Sequence, residues 1–218
     1  MAQIAAGAKD ELGPVISRTR WLILAVVAVG TFMAVLDGYI VNVALPTIQS
    51  SLKANTGELE LVIASYSLTY AIFLITEGRL GDIFGRKRMF LLGMTIFTIG
   101  SAMCGISQTP ELLLVFRAFQ GFGAATMYPQ ILSIIQVTFK DGDRQLALGV
   151  FAGVNGVAQV VAQLFGGLLI HADIAGLSWR AIFFVNVPIG IGGVIAGIVF
   201  LKESKTIPSP RLDLPGAA

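Results

Sequence analysis

The chain has 218 residues, of which 55% are hydrophobic and 13% charged, and its mean hydropathy is +0.80. A water-soluble domain of this size carries about a quarter charged residues, so the composition excludes an ordinary soluble enzyme and predicts a polytopic membrane protein. The net charge of +2 and pI of 8.8 do not imply a nucleic-acid partner, because the cations sit in loops between apolar runs and not on one amphipathic face.

Residues 1–20 hold Lys9, Asp10, Glu11, Pro14, Arg18 and Arg20 with no apolar stretch, which predicts a soluble cytoplasmic tail and not a cleavable signal peptide. The first span is expected over residues 21–46, where sixteen uncharged residues precede Asp37, and a polar loop follows from Thr47 to Glu60. The second span, 61–80, runs into the stretch Gly78–Arg88, whose glycines Gly78, Gly81 and Gly85 predict a tight turn. Asp82 there offers a carboxylate to a following helix N-terminus or to nearby arginines. The third span, 89–107, is nearly free of polar side chains, and Thr109 and Pro110 make a short turn. The fourth, 112–139, is the most polar, with Arg117, Gln120, Tyr128, Pro129 and Gln130. A charged loop from Lys140 to Arg144 leads to a fifth span, 145–170, and a loop with His171, Asp173 and Arg180 leads to the sixth, 181–201. Residues 202–218 contain three prolines and read as an extended cytoplasmic linker.

The cations set the orientation. With a cytoplasmic N-terminus, twelve of the fifteen lie on the inner side and only Lys53 and Arg180 on the outer, while Arg117 lies within a span. Both termini are therefore predicted to be cytoplasmic.

Asp37 and Arg117 are the candidates for chemistry, since an ionisable group inside a span costs several kcal/mol unless it meets water or a partner. Counting helix rise from Pro46 and Glu111 places them roughly 13 Å and 9 Å below the outer face, so a pair across the bundle is geometrically allowed. Such an aspartate can exchange a proton while the arginine stabilises its charged form; the other reading is a static ion pair that fixes helix register. Glu77, at the cytoplasmic end of the second span, is expected to snorkel to the interface and meet Arg79 or another loop cation, with a second proton site as the alternative. His171 reads as interfacial, and Cys104, the only cysteine, as a small core residue that makes no disulfide or metal cluster. Tyr39, Asn42, Gln120, Tyr128, Gln130 and Gln163 are candidates for lining a cavity, and equally for hydrogen bonding between helices, as are Asn155 and Gln159. Gly149/Gly153 and Gly193/Gly197 are small-xxx-small pairs that let helices approach closely. There is no P-loop, zinc-ligand set or credible nucleophile with a base, so no enzyme, metal or cofactor is expected.

Gly78–Arg88, Gly-Arg-Leu-Gly-Asp-Ile-Phe-Gly-Arg-Lys-Arg, resembles the loop signature between helices two and three of the major facilitator superfamily. Leu36–Pro46 is similar to the first-helix signature of its fourteen-helix drug:proton antiporter branch. The run from Arg117 through Gln120, Gly121 and Gly123 resembles the fourth-helix signature, and Trp179–Gly190, with Asn186 and Pro188, resembles the start of helix six. Two positions depart: Tyr39 stands where the branch often has threonine, and Ala162–Gly167 lacks the proline of the fifth-helix signature.

The resemblance implies an all-α integral membrane fold of six transmembrane helices in a 3+3 pseudo-repeat, the N-terminal half of a transporter of two such halves. It further implies a secondary transporter driven by a proton gradient, without cofactor, that exports amphipathic small molecules by alternating access, with Asp37 and Arg117 as the coupling pair. Gly78, Asp82, Gly85, Arg86, Lys87 and Arg88 would form a cytoplasmic gating motif. Expected partners are the lipid bilayer of the cell membrane, a small-molecule substrate, and the C-terminal half or a second copy. The sequence is expected to stop short of a seventh helix. An uptake permease of the same superfamily and a non-transporting scaffold or regulatory fragment are the alternative functions.

Overall fold

The computed structural model describes the backbone of residues 2–204 and the side chains from residue 18 onward, except that of Asp141. Residues 205–218, most of the expected linker, lie outside the described residues. The described backbone is helical almost throughout: α1 (Ala2–Leu52), α2 (Thr56–Phe84), α3 (Arg86–Ile106), α4 (Pro110–Thr138), α5 (Asp141–Ala172), α6 (Ala181–Phe184) and α7 (Asn186–Phe200). Two short 3-10 turns, Ile174–Gly176 and Ser178–Arg180, connect α5 to α6.

Five segments are long and apolar enough to cross a membrane: Arg18–Leu52, Thr56–Phe84, Arg86–Ile106, Gly142–Ala172 and Ser178–Phe200. The helix that falls short is α4, and its packing explains why. It lies against α3 and α2 along most of its length and touches α1, so its polar residues are enclosed by protein and need not be compatible with lipid. At the crossing with α3 the backbones meet through glycine. A Cβ on Gly93 would stand 2.5 Å from the Met127 nitrogen, and one on Gly123 would stand 2.5 Å from the Phe97 nitrogen. Around α4 two apolar clusters form, one about Phe90, Phe97 and Met127 and one about Leu36, Ile40 and Trp179.

Several boundaries differ from the sequence expectation. The first helix does not end at Pro46 but continues to Leu52, and the expected loop from Thr47 to Glu60 shrinks to Lys53–Asn55. Asn55 closes it with a capping box: its side chain accepts from the Glu58 N–H at 2.9 Å, and Glu58 accepts from the Asn55 N–H at 2.8 Å. The expected three-glycine turn is likewise corrected. Gly78 and Gly81 are helical within α2, and the chain breaks only at Gly85, whose φ of +109° favours glycine. Gly81 serves packing instead, since a Cβ there would overlap the Gln130 amide. The charged loop before the fifth helix reduces to Phe139 and Lys140. The sixth span is divided into α6 and α7 at Val185, whose backbone angles stay helical at φ −60° and ψ −29°, three residues before Pro188, which has no N–H to donate. On α5, Gly149 and Gly153 meet nothing within 4 Å, so that small-residue pair packs no helix within the described residues, whereas Gly193 and Gly197 receive Met94 and Leu91.

Candidate functional site

The middle of the bundle holds a cluster of polar side chains with no access to solvent. Asp37 comes from α1, Arg117 and Gln120 from α4, Ser101 from α3 and Asn186 from the first position of α7, each at most 1% exposed. Arg117 and Gln120 sit three residues apart, on one face of α4, so a single helix presents both toward α1. Asp37 Oδ2 accepts from Arg117 Nη1, and Asp37 Oδ1 accepts from Gln120 Nε2 at 2.9 Å and from Asn186 Nδ2 at 3.0 Å. Arg117 Nη1 also donates to Gln120 Oε1 at 2.8 Å. A second hydrogen of the Asn186 amide goes to Ser101 Oγ at 3.1 Å, and Ser101 Oγ donates onward to the Phe183 carbonyl at 2.9 Å.

This arrangement suits a charged carboxylate. Three donors converge on two oxygens, which offsets the loss of hydration that would otherwise make a buried anion prohibitive. The arginine has its own second support: its guanidinium carbon lies 4.2 Å from the centroid of the Tyr66 ring, on α2. Tyr66 is held in turn, its hydroxyl donating to the Ala34 carbonyl at 3.1 Å. One turn of interlocked groups therefore ties α1, α2, α3, α4 and α7 to the state of a single carboxyl.

Beside the cluster is a cavity of about 420 Å³ whose wall includes Gly38, Tyr39, Asn42, Tyr66, Tyr70 and Tyr128. Its aromatic rings are mutually packed, Tyr66 stacked on Tyr70 with centroids 6.5 Å apart and Tyr70 edge-on to Tyr128 at 6.1 Å. The Tyr128 hydroxyl donates to Asn155 Oδ1 at 2.9 Å, which joins α4 to α5. Such a wall offers flat apolar faces rimmed by hydroxyl and amide groups.

Of the sequence candidates, Asp37, Arg117 and Gln120 come together in the cluster, and Tyr39, Asn42 and Tyr128 line the cavity. The others lie elsewhere. Gln163 is exposed on α5, and Gln130 is buried against Gly81, where its Nε2 donates to the Glu77 carbonyl at 2.9 Å. Glu77 corrects the expectation of snorkelling: it is 4% exposed and makes no ion pair among the described residues. Its carbonyl accepts from Gln130 and its side chain lies toward Thr126 of α4, away from the loop cations. Around the α2/α3 break, Asp82 pairs with Arg86 at 2.9 Å, one helical turn on. Arg88 lies 3.6 Å from Glu203, whose carboxylate also accepts the Lys87 N–H at 3.2 Å. Sequence reasoning missed Tyr66, Tyr70, Ser101 and Asn186 as members of the site. Tyr66 and Tyr70 carried a signal, an i, i+4 aromatic pair on one helix face; Ser101 carried none, being one small polar residue in an apolar run.

Comparison with known proteins agrees with this architecture. The chain is 35% identical over 206 residues to the probable actinorhodin transporter of Streptomyces coelicolor, covering 94% of the chain and 36% of that protein. It is 38% identical over 197 residues to the tetracenomycin C resistance and export protein of Streptomyces glaucescens, covering 90% of the chain and 36% of that protein. Among solved structures, the inward-facing, occupied form of a bacterial homologue of the human lysosomal transporter Spinster superimposes with a TM-score of 0.75 at 24% identity. That match covers 88% of the chain and 45% of the other. The chain thus spans little more than a third of the length of the curated relatives it matches. A family model described as Major Facilitator Superfamily matches residues 27–216, and the chain is a multi-pass membrane protein belonging to that superfamily.

Proposed function

We infer that the chain is the N-terminal six-helix half of a proton-coupled secondary transporter of the drug:proton antiporter branch. It exports amphipathic small molecules by alternating access and lies in the cell membrane with both termini cytoplasmic. The observation that carries this reading is the Asp37 carboxylate, wholly buried on α1 and held by Arg117 from α4. A buried anion with a single cation as partner binds or releases a proton at a large change in local electrostatic energy, which is the property a coupling site needs. Its neighbour, the tyrosine-walled cavity, supports an aromatic or amphipathic substrate, as do two relatives named for transport of actinorhodin and export of tetracenomycin C. The half-transporter reading is supported by the 45% of the Spinster homologue that one copy covers.

The test is uphill dye movement in proteoliposomes with an imposed pH gradient, using the chain joined to a second six-helix half. Asp37→Asn abolishes coupled transport while leaving membrane insertion intact. Unchanged coupled transport in that variant overturns the reading of Asp37, and uphill transport by the 218-residue chain alone overturns the reading as a half.

A further inference from the structure

Within the Asp37 cluster the two amides are not equivalent. Gln120 is committed at both ends: its Nε2 donates to Asp37 Oδ1 at 2.9 Å, and its Oε1 accepts from Arg117 Nη1 at 2.8 Å and from Cys104 Sγ at 3.6 Å. Asn186 is committed at one end only. Its Nδ2 uses both hydrogens, on Asp37 Oδ1 and Ser101 Oγ, whereas its Oδ1 is buried with no hydrogen-bond partner. A buried amide oxygen left without a donor is costly, and such an orphan calls for an explanation.

The ionised carboxylate supplies half of it. An anion at Asp37 requires the amide to present hydrogen, and Ser101, whose own hydrogen is on the Phe183 carbonyl, requires the same. Both neighbours demand Nδ2, so Oδ1 is turned away. When a proton from water forms an O–H bond on Asp37 Oδ1, the demand reverses, because that oxygen now needs an acceptor. Gln120 cannot supply one without breaking its bond with Arg117. Asn186 can, by a half-turn of its amide about χ2, a soft torsion for this side chain. The oxygen then stands where the nitrogen was and accepts from Asp37, the Ser101 hydroxyl, no longer offered a hydrogen, turns to donate to the same oxygen, and Nδ2 moves to the buried place from which Oδ1 had no partner, so the amide exchanges an unmatched acceptor for an unmatched donor. Arg117 keeps its bond to Asp37 Oδ2 throughout.

We propose that Asn186 is the residue that reads the protonation state of Asp37, reversing its amide and passing the change through Ser101 to the Phe183 carbonyl at the α6/α7 junction. Phe183 is the penultimate residue of α6, and α7 resumes after Val185, whose backbone angles remain helical. A continuous helix would fill that carbonyl from the N–H of Val187, four residues on. Release of Phe183 from Ser101 thus frees that carbonyl for the Val187 N–H and makes the helical hydrogen bonding just before Pro188 depend on a proton bound to the first span. The charged and titratable groups facing the amide network are Asp37 from α1, Arg117 from α4, Tyr66 from α2, whose ring lies under Arg117, and Cys104 from α3, whose thiol faces Gln120. This inference rests on the reading of Asp37 as a titrating site.

Hydrogen exchange of the 183–188 segment in the chain held in lipid nanodiscs, at one fixed pH, tests the relay. Asp37→Asn stands in for protonated Asp37, since its amide offers hydrogen to Asn186 Oδ1. Its exchange in that segment changes by roughly three- to tenfold relative to the unmodified chain, the factor that one ordinary hydrogen bond produces. In the Ser101→Ala background, where the link to Phe183 is already cut, Asp37→Asn produces no further change. The relay is overturned if Asp37→Asn leaves the segment's exchange unaltered, or if the change persists in the Ser101→Ala background. A separate infrared titration watches the Asp37 carboxylic band, assigned by its loss in Asp37→Asn, against the side-chain bands of isotope-labelled asparagine. The two move together on this account. No Asp37 band at any pH at which the chain stays folded overturns the proton-coupling reading; an Asp37 band without an asparagine response overturns only the relay.

Discussion

Two aspartate–arginine pairs stand at opposite extremes of environment in one small bundle. Asp37 and Arg117 have side chains 0% and 1% exposed and sit in a network drawn from five helices, while Asp82 and Arg86, one turn apart around the α2/α3 break, are 36% and 16% exposed. The functional groups are the same and the consequences differ. In the buried pair, every lost partner leaves a charge that no water can reach, so the cost of a mutation is set by desolvation. At the α2/α3 break, water and neighbouring cations stand ready to replace a lost partner, so the pair orients the turn more than it stabilises the fold.

The contrast can be broken most sharply at Arg117. Arg117→Leu leaves the Asp37 carboxylate buried with two amides alone, and a loss of about 3–5 kcal/mol in resistance to unfolding in mixed micelles is expected. Adding Asp37→Asn to that variant recovers much of the loss, since the uncompensated charge is gone; equal instability of single and double variants would show that packing, and not charge, dominates the site. A smaller effect is expected between the two regions. Gly81→Ala drives a Cβ into Gln130, 1.8 Å from its Oε1, and displaces the amide from the Glu77 carbonyl, for a loss of about 1–3 kcal/mol by the same assay. Glu203→Gln weakens the contact with Arg88 and the bond from the Lys87 N–H at the start of α3, with an expected loss of about 1 kcal/mol. The least effect belongs to Asp82→Asn: about 0.5 kcal/mol at low salt, vanishing as ionic strength rises. A salt-independent loss of several kcal/mol there would erase the distinction between the two pairs.

Much of the molecule was legible before any coordinates. Asp37 and Arg117 stand out because an ionisable residue in an apolar run is expensive, and their similar depth is simple helix arithmetic. The all-helical membrane architecture follows from 55% hydrophobic content and the spacing of charged loops, since only helices or closed barrels satisfy every backbone group in lipid. What the linear pattern misread were contacts. The glycines at 78 and 81 read as a turn because glycine permits one, yet they lie inside α2 because Pro129 and Gln130 press against it there. Glu77 read as an interfacial acid because a loop of cations follows it, yet helix rotation turns it inward against α4.

By itself, then, the sequence determined the medium in which this protein folds, the number and order of its helices and the two charges that must find each other inside. Periodicity and hydropathy are properties of one segment against its solvent, and they need no knowledge of the neighbours. Only the tertiary structure decided which polar side chains complete the site. Asn186 and Ser101 lie 149 and 64 residues from Asp37 along the chain, and they join its network because α7 packs on α1 and on α3, which in turn packs on α4. A hydrogen-bond network of that kind depends on the rotation of each helix about its axis, which the packing of glycines and aromatic rings fixes and no local pattern encodes.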